Sequence, residues 1–218
     1  TNYAHETYYP MMVEEEQEEL YHSLMIPSQV LIIQIECHGL PLMPARVQEV
    51  KLQLETEVSG LISIMELNAY VQEATDRLQI AAMKAKQATL KKKIVERHEF
   101  NEPINYNSGQ QLAVLLYDVM DMPVIEWTDT GERATGGDVI KALRKHTEDP
   151  EKLEVMNALH AYSKLSKILS AFIPAFENAW LKADGMAYLH GPSNIGGTKS
   201  GRLTSPDPNL ENLTASGK

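Results

Sequence analysis

Residues 197–213 read GTKSGRLTSPDPNLENL, and this stretch determines how the rest of the chain is interpreted. Its glycine, proline, hydroxyl and amide residues predict turns and loops. Helical periodicity fades before it, so we place a domain boundary near residues 182–185. A nucleotide-binding P-loop is excluded here, because the required ending Gly-Lys-Ser or Gly-Lys-Thr is missing.

The chain before this loop is predicted to be mainly helical. Apolar residues recur at helical spacing from Pro27 to His38, where we expect a buried helix. The same spacing runs from Pro44 to about Val95, with a second half rich in Ala, Gln, Lys and Leu. A third long helix is predicted from about Lys152 to Asn178.

Local signals predict where several of these helices begin and end. Ser108 can cap a helix through its hydroxyl oxygen, and Thr135 or Asp138 can cap the next one. Pro150 suits a first helical turn. Pro174 should kink or end the long third helix, because proline lacks the backbone N–H that a helix interior requires.

Bulk composition narrows the class of protein. The 218 residues are 43% hydrophobic and 23% charged, values ordinary for a globular protein in water. No run of eighteen apolar residues and no secretory signal is visible, so we expect no membrane partner. A single cysteine, Cys37, excludes an internal disulfide framework and fits a reducing compartment. The expected location is the cytoplasm, that of the host if the chain is phage-encoded.

Charge is segregated along the chain. The formal net charge of −10 taken alone argues against nucleic acid as a partner. Acidic residues gather at 14–19, however, and basic residues at 84–97. A local patch decides whether a phosphate backbone can dock, so binding of nucleic acid is compatible with this sequence.

The loop at 197–213 resembles the motif T-x-T-G-R-L-S-S-x-x-P-N-L-Q-N of family A (polymerase I-like) DNA polymerases, and it keeps the motif's spacing without a gap. Glu211 departs from the usual glutamine. Further segments resemble thumb elements of the family in the family's order, and the resemblance is to phage enzymes in particular. These segments are residues 26–42, 104–112, 128–139 and 162–172.

The resemblance implies a mainly α fold, with a helical thumb followed by the first β elements of an α/β palm. On this basis residues 1–25 are the end of a preceding exonuclease-like domain and residues 26–182 are the thumb. Residues 183–218 are then the incomplete start of the palm. We expect the chain to be a fragment of a longer polymerase.

The resemblance also implies a set of DNA-contacting residues. The arginine matching Arg202 faces the minor groove at the primer terminus, where every base pair offers acceptor atoms. Lys167 and the basic 84–97 segment would neutralise phosphates. The predicted DNA-binding residues are Arg202, Asn209, Asn212, Thr198, Ser200, Ser205 and Lys167.

Catalysis is expected to lie outside these residues. Nucleotidyl transfer in the family uses two metal ions, and the resemblance places the metal-binding aspartates beyond residue 218. We therefore predict no catalytic or metal-binding residue here, Mg²⁺ and dNTP binding in the complete polymerase, and no synthesis by this fragment alone. Primer–template DNA is the expected partner.

Other interpretations remain open. The chain could be a non-enzymatic acidic helical interaction module whose loop imitates the motif. It could also be one subunit of a split polymerase that works with a separately encoded palm and fingers. For single residues, Arg202 could lie in a solvated loop, and Lys167 and the 84–97 segment on solvated helix faces.

Overall fold

A computed structural model describes residues 2–90, 96–195 and 197–205. The chain divides into two compact units. One consists of residues 1–49 and 171–218, and the other of residues 50–170. The predicted mainly α fold with a few β elements is confirmed, because helices dominate the described residues and a small sheet accompanies them. The predicted subdomain boundaries at 25 and 182 stay predictions.

The helices, in chain order, are α1 (Asn2–Glu14), α2 (Glu18–Leu20), α3 (Ile26–His38), α4 (Pro44–Leu67), α5 (Ala69–Thr89), α6 (Gly109–Ala113), α7 (Gly137–Leu143), α8 (Pro150–Lys167) and α9 (Ile173–Glu177). Wider π-helical turns occupy Tyr21–Met25, Val114–Val119 and Ile168–Phe172. Short 3₁₀ turns lie at Arg97–Glu99 and Arg144–His146. The strands are β1 (Leu40–Leu42), β2 (Trp180–Leu181) and β3 (Ala187–Leu189).

Side-chain caps explain where several helices begin. The Ser108 hydroxyl accepts the Gln111 N–H at 3.4 Å, which confirms the predicted cap of α6. Before α8 the Asp149 carboxylate accepts the N–H groups of Glu151 at 2.9 Å and Lys152 at 3.4 Å. Pro150 then occupies the first turn, where its missing N–H costs nothing.

The predicted helical segment 44–95 is interrupted at a buried amide side chain. Asn68 separates α4 from α5, and its side chain accepts the Tyr70 N–H at 3.0 Å. The same side chain donates to the Glu151 carbonyl at 3.3 Å. Helix α5 ends at Thr89, and the predicted continuation over residues 91–95 lies outside the described residues.

Two helix predictions need correction. Neither Thr135 nor Asp138 caps α7. Gly136 occupies the capping position, and it has no side chain that could accept a hydrogen bond there. Asp138 lies inside the first turn, where its negative charge interacts favourably with the helix dipole. Helix α3 is present, but the prediction that it is buried is wrong. Ile32 is its one buried residue, and its other large apolar side chains are exposed.

The predicted long helix at 152–178 is broken before Pro174. Helix α8 ends at Lys167, a π-helical turn follows, and α9 begins at Ile173 with Pro174 in its first turn. Proline has no N–H to donate to a carbonyl in the preceding turn, so one bond of the regular α-helical series is lost at this point. The expected break is confirmed.

The core of the unit 50–170 is built around the π-helical turn Val114–Val119. This turn packs against α5, and α7 packs against α8. Side chains shielded almost completely from solvent include Met65, Val71, Leu115, Leu116, Met120, Ile140, Leu143, Val155, Met156 and Leu159. Burial of these apolar side chains is the main favourable contribution to the stability of the unit.

The small sheet belongs to the other unit. Its strand order is β1-β3-β2, and both pairings are antiparallel. Leu40 pairs with Leu189 and Trp180 with Tyr188. The β2–β3 hairpin closes at Gly185, whose φ of +82° suits glycine. The central strand β3 therefore holds the residues that follow Leu189 beside the end of α3.

Within the described residues, no helix is both long enough and apolar enough to cross a lipid bilayer.

Candidate nucleic-acid interface

The predicted loop at 198–202 is a closed turn. Gly201, with φ of +72°, donates its N–H to the Thr198 carbonyl at 3.2 Å. The Thr198 hydroxyl oxygen accepts the Arg202 N–H at 2.9 Å and lies 3.2 Å from the Arg202 carbonyl oxygen. It also lies 3.2 Å from the Ser200 hydroxyl. Thr198 thus fixes the shape of the turn, and the Arg202 side chain is exposed.

The turn stands on a short pair of extended segments. Asn194 and Thr204 exchange backbone hydrogen bonds of 2.8 and 3.1 Å. A Cβ added at Gly197 would lie 2.2 Å from the Thr204 hydroxyl oxygen, so a side chain there would displace Thr204. These constraints hold the main chain on both sides of Arg202.

The other predicted DNA-binding residues have different surroundings. Ser200 is exposed, whereas Ser205 is buried with 3% of its surface exposed. Lys167 is exposed at the end of α8 in the other unit. Asn209 and Asn212 lie outside the described residues. Contact of each of these residues with DNA stays a prediction.

The basic 84–97 segment is described in part. Lys84 and Lys86 are exposed on α5, and the Lys86 ammonium lies 5.5 Å from the centre of the Phe100 ring. That cation–π contact engages Lys86 within the chain. Lysines 91–93 lie outside the described residues, so phosphate contact along this segment stays a prediction.

A second turn of the same design lies at Thr128–Glu132, in the unit 50–170. Gly131, with φ of +79°, donates its N–H to the Thr128 carbonyl at 2.8 Å. The Thr128 hydroxyl accepts the Glu132 N–H at 3.0 Å and lies 2.9 Å from the Thr130 hydroxyl. A loop closed by a turn at Thr128–Gly131 is what the sequence predicts, and the structure confirms it. The common spacing Thr-x-Ser/Thr-Gly could have shown that the two turns share a geometry. Glu132 stands at the position that Arg202 has in the other turn.

An ion pair secures the segment after this second turn. The Arg133 guanidinium donates to both Asp118 carboxylate oxygens, at 2.6 and 2.9 Å. It also lies 5.1 Å from the centre of the Tyr117 ring. The Tyr117 hydroxyl donates to the Ala134 carbonyl. Together these contacts fix the Thr128–Glu132 turn to the core.

The Asp118–Arg133 pair predicts a pH dependence. The hydrogen bonds from Arg133 hold the pKa of the Asp118 carboxyl below its usual value. Its stabilisation is therefore present above the unfolded-state pKa of about 3.9 and is lost as the pH falls through the lower folded-state pKa. Because the Asp118 side chain is 42% exposed, screening limits the contribution to a fraction of about 1 kcal/mol.

We expect Asp118→Asn to remove this dependence. Urea unfolding of wild type and variant between about pH 6 and about pH 3 would show the difference in unfolding free energy shrink below about pH 4. A difference that stays constant over that range would contradict the prediction. Glu126→Gln is a matched control that removes an exposed carboxylate from the same unit.

A polar cluster not found from the sequence joins the 105–108 loop to the end of α8. Asn107 donates to the Tyr162 hydroxyl at 3.1 Å and accepts from the Ser166 hydroxyl at 3.2 Å. Lys167 follows Ser166 directly. The motif-like spacing of Asn105 and Asn107 was the available signal, but its partner on α8 could not be found from local sequence.

Clusters of metal-binding side chains are absent from the described residues. Nowhere among residues 2–90, 96–195 and 197–205 do three histidine, cysteine, aspartate or glutamate side chains gather where they could hold a metal ion.

Comparison with known proteins identifies the family. The family model for DNA polymerase family A matches residues 73–218. The chain belongs to this family. The resemblance seen in the loop at 197–213 is thereby confirmed.

Relatives of this chain include a phage enzyme and a bacterial enzyme. The DNA polymerase of Bacillus phage SP01 is 27% identical over an alignment 223 residues long, and the alignment covers 94% of this chain and 23% of the phage protein. DNA polymerase I of Geobacillus stearothermophilus is 31% identical over 164 residues, covering 74% of this chain and 17% of that enzyme. The chain therefore spans less than a quarter of the length of these two relatives.

A solved structure shows the same fold. The POL domain of Pol1 from M. smegmatis, in complex with DNA primer-template and dNTP, superposes with a TM-score of 0.66 at 18% identity. The match covers 95% of this chain and 30% of that one. The fold of this family A chain is thus that of part of a polymerase domain.

Proposed function

We propose that this chain is the part of a DNA-directed DNA polymerase that grips the primer–template duplex during template-directed synthesis. The observation that carries the proposal is the closed Thr198–Arg202 turn, which presents an exposed guanidinium within the family motif. A guanidinium has five donors and no acceptor. It therefore suits the minor groove, where acceptor atoms are present on every base pair and sequence is read poorly.

Nucleotidyl transfer belongs, on this proposal, to the complete enzyme. Two-metal chemistry needs clustered carboxylates, and the described residues contain no group of three metal-binding side chains. We accordingly expect the 218-residue chain alone to leave a primer unextended in the presence of dNTPs and Mg²⁺. Extension by the purified chain would contradict this part of the proposal.

Duplex binding is the direct test. The chain would be titrated into fluorescently labelled primer–template, and the dissociation constant measured by anisotropy from about 50 mM to about 300 mM salt. Single-stranded template of the same length serves as the comparison. We expect tighter binding to the duplex and an affinity that falls with salt. Absence of duplex binding at the lowest salt would contradict the proposal.

A split polymerase differs from this proposal in what accompanies the chain, not in what the chain contacts. A separately encoded palm and fingers chain would restore synthesis when added, and DNA binding would still depend on Arg202. A non-enzymatic interaction module would show no preference for primer–template over other nucleic acids. The same titration therefore separates the polymerase proposals from the interaction module.

A further inference from the structure

The end of α3 is tied to the segment that leads into the Thr198–Arg202 turn. We propose that Glu36 and His190 are positioning residues that set the orientation of Arg202 toward the duplex. The inference rests on the proposed function, because it needs Arg202 to contact DNA. Both residues belong to the same compact unit as the turn.

Glu36 makes two contacts across a long sequence separation. Its carboxylate accepts the Ser193 N–H at 2.5 Å, 157 residues away in sequence. Its backbone carbonyl oxygen lies 2.7 Å from His190 Nδ1. A carbonyl oxygen cannot donate, so the proton of this bond belongs to Nδ1. A hydrogen bond to an ionised carboxylate is roughly twice as strong as a neutral one, which makes the Ser193 contact the stronger anchor.

Gly39 makes room for the imidazole. Its φ is +77°, and a Cβ added there would lie 2.7 Å from His190 Cε1. A side chain at this position would therefore force the ring away from the end of α3. On another side the His190 ring meets Trp180 edge to face, with ring centres 6.0 Å apart. The imidazole is thus held by the carbonyl, by the glycine and by an aromatic ring.

A short path connects this anchor to Arg202. Strand β3 pairs with β1 as far as Leu189, which places His190 directly after a hydrogen-bonded strand. Asn194 follows the anchored Ser193 and exchanges two backbone bonds with Thr204. Thr204 lies two residues after Arg202. Movement at Ser193 is therefore passed through one pair of backbone hydrogen bonds to the base of the turn.

Loss of the Glu36 carboxylate would leave the Ser193 N–H without its charged acceptor. The Asn194–Thr204 pairing would then no longer be anchored through Ser193. The Arg202 guanidinium would sample more orientations as a result. Because each donor must meet a groove acceptor within hydrogen-bond range, affinity for the duplex should fall even though Arg202 is unchanged. Glu36 acts here through Arg202 and does not contact DNA.

A double-mutant cycle in the 218-residue chain tests the inference. Dissociation constants for primer–template are measured for wild type, Glu36→Ala, Arg202→Ala and the double variant. We expect Glu36→Ala to weaken binding about fivefold when Arg202 is present and less than about 1.5-fold in the Arg202→Ala background, because coupled residues are not additive. Equal losses in both backgrounds, or no loss, would overturn the inference.

Conservative variants and a control separate positioning from loss of fold or charge. Glu36→Gln keeps an acceptor for the Ser193 N–H and should restore most of the affinity. His190→Ala should weaken binding in the same Arg202-dependent way, which provides an independent test if Glu36→Ala fails to fold. Glu19→Ala removes an exposed carboxylate from α2 and should leave binding unchanged. Failure of Glu36→Gln to restore binding would count against positioning.

The outcomes also separate this inference from the proposed function. If Arg202→Ala binds duplex as tightly as wild type, the proposed function fails and the inference fails with it. If Arg202→Ala weakens binding while Glu36→Ala and His190→Ala have no Arg202-dependent effect, the inference alone is overturned.

Discussion

Arg202→Ala is expected to weaken binding of primer–template by about tenfold or more, because a hydrogen bond made by a charged group contributes about 1.5–3 kcal/mol. The salt dependence of binding should change little, since a minor-groove contact neutralises no phosphate. Anisotropy titrations over a salt series measure both quantities at once. The exposed position of the side chain at the rim of a closed turn is the structural basis for this expectation.

Lys199→Ala is the matched control in the same turn. Lys199 is an exposed cation three residues from Arg202. A phosphate-contacting lysine, once removed, should reduce the salt slope by about one and weaken binding uniformly across sequences. Arg202→Lys keeps the charge but loses the planar guanidinium with its several donors, and it should bind less tightly than wild type. If Arg202→Ala and Lys199→Ala changed the affinity and the salt slope by the same amounts, charge alone would matter at Arg202.

Leu115→Ala is expected to lower the free energy of unfolding by about 2–5 kcal/mol, because it removes buried methyl groups and leaves a cavity. Leu115 is fully buried in the π-helical turn at the centre of the unit 50–170. Urea denaturation followed by circular dichroism measures the change. The loss should appear as a lower midpoint with an unchanged slope.

Leu67→Ala provides the comparison, since the same atoms are removed in the same unit from a side chain that is 81% exposed. A surface substitution of this kind should change the unfolding free energy by no more than about 0.5 kcal/mol. Similar losses for the two variants would mean that Leu115 does not have the packing described above.

Several helix boundaries could be predicted because their causes are local. A serine hydroxyl reaches an N–H three residues ahead, and a proline removes an N–H wherever it stands. The start of α6 after Ser108 and the break before Pro174 follow from these two facts. The start of α7 was predicted wrongly, because local sequence offered two hydroxyl or carboxyl candidates and the chain uses Gly136.

Burial of α3 could not be predicted in the same way. Its apolar composition indicated a buried helix, yet Ile32 is its buried residue and Val30, Leu31, Ile33 and Ile35 are exposed. Composition indicates how much the free energy would fall if a side chain left water. It does not report which surface of the protein lies opposite that side chain.

The sequence by itself determined the family and the two Thr-x-Ser/Thr-Gly turns. Each turn is closed by bonds between residues three or four positions apart, so its geometry is encoded in a short run of residues. Tertiary structure decided what supports those turns. Glu36 meets Ser193 across 157 residues, Ser166 meets Asn107 across 59, and Arg133 meets Asp118 across 15. Such partners are brought together by the packing of distant segments, and no local spacing rule specifies them.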